Sequence, residues 1–142
     1  MKITTAVRDH LRADIGIRAL VGQRVYKRRA PQRCGFPRII VSVAAAQFPT
    51  RSQAQRSDDV SHHIEARVQV DSWSLDEEEV DRVSEAVAKS LDDFTGTTQG
   101  VSIKRSLQDD ERDNYQPLQD GSDEGAHRIT QDYNIVYLEP TV

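Results

Sequence analysis

The stretch from His63 to Gly96 constrains the fold more than any other, because a long strand there runs straight into an amphipathic helix. Ile64, Ala66, Val68 and Val70 alternate with His63, Glu65, Arg67, Gln69 and Asp71, the period-two pattern of a strand with one buried face. Trp73 ends that strand. Ser74-Leu75-Asp76-Glu77 then has the spacing of a capping box, in which the Ser74 hydroxyl accepts from the Glu77 amide and the Glu77 side chain reaches back. Asp76, Glu77, Glu78 and Glu79 fill the first turn, where exposed amides and the macrodipole favour carboxylates. Val80, Val83, Val87, Leu91 and Phe94 recur at helical spacing on one side, and Gly96 is expected to stop the helix. A strand and a helix that are each apolar on one side must bury those sides on further sheet, which the rest of the chain has to supply.

The flanking segments offer that sheet. Ile3, Ala6, Val7, Leu11 and Ile15 predict a first helix closed around Gly16, and Ile17 to Val21 a further turn ended by Gly22. Arg24-Val25-Tyr26 reads as a short strand. Arg28 to Pro37 holds Pro31, Gly35 and Pro37 and reads as an exposed basic connection. Arg38 to Ala45, nearly continuous in β-branched and apolar residues, reads as a central strand. Thr97 to Gly100 turns the chain into another strand at Val101, Ile103, Arg105 and Leu107, and Ile129 to Leu138 alternates as a closing strand. Residues 47–61 and 108–125 are polar, without apolar periodicity, and are expected to be two long loops. The expectation is one α+β domain over residues 1–142, a mostly antiparallel sheet of about five strands with two helices packed on one face.

A chain of 142 residues is long enough to bury roughly two-thirds of the surface of its unfolded form. It has no apolar run that would cross a bilayer and no apolar signal core behind Met1, so synthesis in the cytosol and no membrane partner are expected. Cys34 is the only cysteine, which rules out an intrachain disulfide and a cysteine-rich metal site. Charge is more informative. Between Ile15 and Ser57 there is no acid, while Arg18, Arg24, Lys27, Arg28, Arg29, Arg33, Arg38, Arg51 and Arg56 supply nine positive charges. From Asp58 onward seven basic residues face twenty-one acidic ones. Such asymmetry suits nucleic-acid contact, or a basic surface meant for an acidic one on another subunit.

His62, His63, Asp58 and Asp59, with His127 if the last strand neighbours the one from His63, invite a metal reading; adjacent histidines on a strand point to opposite faces, however, and no ligand spacing converges. The carboxylates at Asp76 to Glu79 are explained by the helix start. No phosphate loop, nucleophile elbow or activated cysteine is present, so neither catalytic residues, metal ligands nor a cofactor are expected.

Read together, several stretches resemble the tail-completion, or tail-terminator, proteins of long-tailed bacteriophages and prophages. They are Leu20-Val21-Gly22 with Arg24-Val25-Tyr26 and Arg29-Ala30-Pro31-Gln32; Phe36-Pro37; Ala66 to Trp73; Asp110-Glu111-Arg112-Asp113 with Tyr115; and His127-Arg128 with Asp132-Tyr133. The chain departs from that family in the length and acidity of Gln116 to Gly125. The resemblance implies a structural virion protein at the head–tail interface. It implies an oligomeric, six-fold ring that caps the finished tail tube, contacts the tail tube protein and the head–tail connector or head-completion protein, and lets DNA pass without reading its sequence. The charge asymmetry then nominates Arg24, Lys27, Arg28, Arg29, Arg33, Arg51 and Arg56 on one side of an interface and Asp109, Asp110, Glu111, Asp113 and Tyr115 on the other. The alternative is a basic-patch nucleic-acid-binding protein of phage or bacterial origin, in which the Arg24–Arg38 segment grips phosphates.

Overall fold

The computed structural model describes residues 2–31, 34–47, 63–117 and 125–139. In chain order the elements are α1 (Lys2–Ala13), α2 (Ile15–Val21), β1 (Val25–Lys27), β2 (Arg38–Gln47), β3 (His63–Ser74), α3 (Glu77–Leu91), β4 (Gly96–Thr98), β5 (Val101–Pro117) and β6 (Gly125–Leu138). The strands form one sheet in the order β1-β2-β3-β6-β5-β4. The α+β class is as expected, but the sheet has six strands, not five, and is mixed: β1 pairs with β2 in parallel and the other neighbours are antiparallel. Three helices, not two, occur among the described residues.

The alternation read in β3 is the framework of the core. Ile64, Ala66, Val68 and Val70 are buried, and in register with them across β6 stand Tyr137, Ile135, Tyr133 and Gln131. Ile39 and Val41 of β2 and Val101 and Ile103 of β5 extend the same cluster. The amphipathic helices close it, α1 with Ile3, Ala6, Val7 and Leu11, and α3 with Val83, Val87 and Leu91. Burying a large aliphatic side chain is worth about 1.5–3 kcal/mol, so this layer dominates the stability of the fold. Gln131 sits among these apolar groups without a loose donor, because its Nε2 donates to the Ser84 carbonyl of α3 at 3.0 Å.

Several local expectations are corrected. Asp14 breaks the first helix by capping α2, its carboxylate accepting from the Ile17 amide at 3.0 Å, and Ile15 is left exposed instead of joining the core. The capping box does not form. Ser74 still belongs to β3, Asp76 stands at the N-cap without a side-chain cap, and the Ser74 hydroxyl instead donates to Glu79 at 2.7 Å and accepts from the Asp76 amide. β2 is buried on one face only, and it lies second from the sheet edge rather than at its centre. The 3-residue β4 is closed onto β5 by Gln99 and Gly100, both at positive φ as a two-residue hairpin turn requires.

The largest difference concerns the acidic stretch expected to be a loop. β5 continues without a break to Pro117 and pairs with β6 along its whole length, so residues 108–117 are the outer half of a long hairpin. Two register shifts, at Ile103/Arg105 and Gln108/Asp110, change which face each residue occupies. They place Ser106 in the interior and leave Leu107 exposed, the reverse of simple alternation. Of the other expected loop, Gln47 is the last residue of β2 and residues 48–61 lie outside those described.

Candidate assembly surface

The basic segment forms one edge of the sheet. Arg24 is half-buried, and its Nε donates to the Pro37 carbonyl at 2.7 Å, which binds the turn after α2 to the start of β2. Lys27 reaches back to α1 and donates to the Thr5 hydroxyl at 2.9 Å. Arg28 has a left-handed backbone at φ 67°, fixed by its amide donating to the Val41 carbonyl at 2.8 Å. Arg29 follows with its amide on the Lys27 carbonyl at 2.7 Å. The backbone of the turn is therefore specified, while the side chains of Arg28 and Arg29 stay exposed without an acidic partner among the described residues. Arg33, Arg51 and Arg56 lie outside the described residues.

The acidic candidates lie along the outer half of β5, on the other side of the sheet. In register, Lys27 aligns through Val41 and Val70 with Gln131 and then Glu111. Four strand spacings of ~4.8 Å, about 19 Å measured along the sheet, separate their backbones, so the basic and acidic segments lie on opposite sides of one sheet. They do not meet within the chain. Nor are all the acids unengaged: Asp109 pairs with Arg67 at 3.0 Å, Asp110 with Arg112, and Glu111 accepts from Gln131 at 3.0 Å and Gln108 at 3.2 Å. Asp113 has no partner among the described residues. Tyr115 is half exposed and lies tilted against His127, with ring centres 4.9 Å apart.

The sheet face opposite the helices carries a network that sequence reasoning missed. Asp132, with its side chain only 3% exposed, accepts from Arg67 Nη2 at 3.1 Å and Arg112 Nη1 at 2.8 Å. It thereby ties β3, β6 and β5 together. The bonds to Asp132 are the first cause of the raised pKa of both arginines. One row away the Thr130 hydroxyl donates to Asp71 at 2.5 Å, and Gln69 donates to the other oxygen of that carboxylate at 3.2 Å. At one end of this face Trp73 lies between Arg38 and Arg128, whose guanidinium carbons are 5.9 and 5.2 Å from the ring centre. The signal for this face was present in the sequence as the polar half of the β3 and β6 alternation, which a search for catalytic spacing passes over.

Register separates His127 from His63. β3 and β6 are neighbours, but antiparallel pairing sets His127 opposite Ser74 and His63 opposite Leu138, at opposite ends of the strands. His62, Asp58 and Asp59 lie outside the described residues, and among the described ones no group of three His, Cys, Asp or Glu side chains converges as an ion site would need.

Comparison with known proteins gives a family and a fold. The model of the family described as tail completion protein gp17 matches residues 5–138. A solved chain from the virion of a native gene transfer agent particle superimposes with a TM-score of 0.65 at 17% identity, covering 96% of this chain and 94% of that one. At that identity the likeness establishes shared architecture. No curated protein matches the sequence.

Proposed function

Because the chain belongs to the tail completion protein gp17 family, a family of structural proteins of the phage tail rather than enzymes, we propose that it closes the finished tail tube as a ring, six-fold, and joins the tail to the connector of the head. One observation carries this reading: the exposed basic edge at Arg28 and Arg29 and the acidic outer half of β5 stand on opposite sides of the same sheet. A ring uses a heterologous interface, in which one surface of each subunit meets a different surface of the next. Unlike charges on the two sides of a subunit specify that head-to-tail pairing and oppose a two-fold dimer, which would bring like charges together. The tail tube protein and the connector contact the two rims of the ring, and DNA passes through it unread. In support of that passive role, Arg67 and Arg112 on the open face are already neutralised by Asp132, Asp109 and Asp110.

The test is to produce particles without this protein and inspect them by electron microscopy. Filled heads and finished tails accumulating apart would support the reading. Normally joined particles would refute it, and a salt-sensitive duplex-DNA complex lost on changing Arg28 and Arg29 would favour a nucleic-acid-binding protein instead.

A further inference from the structure

Two surface features leave large apolar side chains exposed. The first is a surface hollow of ≈ 290 Å³ lined by Leu75, Tyr115, Gly125 and His127, where the β3–α3 connection passes the outer end of the hairpin. Leu75 is 47% and Tyr115 52% exposed. The hollow is a built feature: Tyr115 lies down on the hairpin because Gly125, paired with Pro117, has no side chain, and a methyl group there would collide with the tyrosine ring. Asp76, Glu77 and Glu78, all exposed, follow Leu75 in the chain at the start of α3. The second feature is Ile15, 84% exposed, at the first position of α2. Arg18 and Ala19 follow at the spacing that puts them beside Ile15 on the outer side of that helix, and both are exposed.

We infer that the hollow receives Ile15 of the adjacent copy of this chain, with Arg18 of that copy meeting the carboxylates at the start of α3. The inference rests on the ring reading above and names one contact within it. An aliphatic knob carrying an arginine one turn on, and a hollow walled by Leu75 and Tyr115 with carboxylates following in the chain, offer apolar surface to each other and are complementary in charge. They lie on different elements of one chain, as a closing head-to-tail interface requires. The aromatic ring and the leucine supply the buried centre, and the charges supply the rim of an ordinary protein–protein contact.

The test is crosslinking of assembled full-length protein in a Cys34→Ser background. Mixing an Ile15→Cys chain with a Leu75→Cys chain should yield a covalent dimer with a short thiol-specific reagent, while either chain alone should yield none. Ile15→Asp and Gly125→Ala should each raise the concentration needed for half-assembly about tenfold or more, with melting temperatures within a few degrees of the parent; tenfold corresponds to 1.4 kcal/mol. Rings that form but give no mixed crosslink, or that tolerate both substitutions, would overturn this contact and leave the ring reading standing. A parent chain that forms no ring at any concentration, alone or with its tail tube, would overturn both.

Discussion

Replacing Tyr133 by phenylalanine removes a single oxygen from the interior and is expected to stabilise the fold. Tyr133 is fully buried between β3, β5 and the helix layer, and its hydroxyl has no partner among the described residues. A buried hydroxyl without a hydrogen bond costs about 1–3 kcal/mol, so after a small loss of packing the variant should gain about 1 kcal/mol. The same environment gives a pH signature. Burial, and then the charges of Asp92 and Glu111, hold the Tyr133 phenol well above its ordinary range. Burial followed by Glu139 pushes Tyr137 up to about 12. Above pH 10 the unfolded chain loses these protons while the folded chain keeps them, so the unfolded state binds fewer protons and stability falls as pH rises. Between pH 10 and 12 each tyrosine should withdraw up to about 1.4 kcal/mol per pH unit. Urea unfolding at pH 7, 10, 11 and 12, in wild type and in Tyr133→Phe, measures both effects. A Tyr133→Phe protein that is less stable at pH 7, or that loses stability above pH 10 as steeply as wild type, would refute the argument.

Three further outcomes follow from the fold. Val70→Asp places a carboxylate between Val41 and Gln131 at a position with no exposure; an unpaired buried charge costs several kcal/mol, and the chain should fail to show a cooperative melting transition. Ser74→Ala removes the hydroxyl that serves both Glu79 and the Asp76 amide, which should lower stability by about 1 kcal/mol in chemical denaturation while leaving assembly unchanged at low temperature. Short duplex DNA at physiological salt should bind weakly and without sequence preference in a filter or fluorescence titration, and tight binding abolished by Arg28→Glu with Arg29→Glu would contradict the proposed role.

Much of the scaffold was legible in the sequence because its signals are local. The alternation of Ile64, Ala66, Val68 and Val70 and the helical spacing of Val80, Val83, Val87 and Leu91 each declare their buried side without reference to the rest of the chain. What was misread depends on distant partners. Asp110 to Asn114 have weak strand preference, and they are extended because β6 pairs with them residue by residue. The two register shifts that expose Leu107 and bury Ser106 leave no mark in the apolar pattern. Ser74 has the spacing of a cap, yet β6 extends the pairing of β3 to Ser74 opposite His127, so the cap position moves to Asp76. For the surface, charge asymmetry pointed to two opposed groups, and the fold sets those described on two sides of one sheet. The role of Asp132, which joins arginines from strands far apart in sequence, required the register to be seen.

The most direct measurement of the central claim is assembly of charge-reversed chains. Arg28→Glu with Arg29→Glu changes exposed side chains on a turn whose backbone is held by its own hydrogen bonds, so the monomer should stay folded. Like charges brought together across an interface cost up to several kcal/mol, enough to decide the fate of a weakly associating subunit. Sedimentation of wild type, the double reversal, and the double reversal combined with Asp113→Lys should be compared at low and high salt. The account predicts rings for wild type, folded monomers for the double reversal, and partial recovery of rings in the combined variant that fades as salt rises. Unchanged rings in the double reversal would remove the basic edge from the interface and contradict the account.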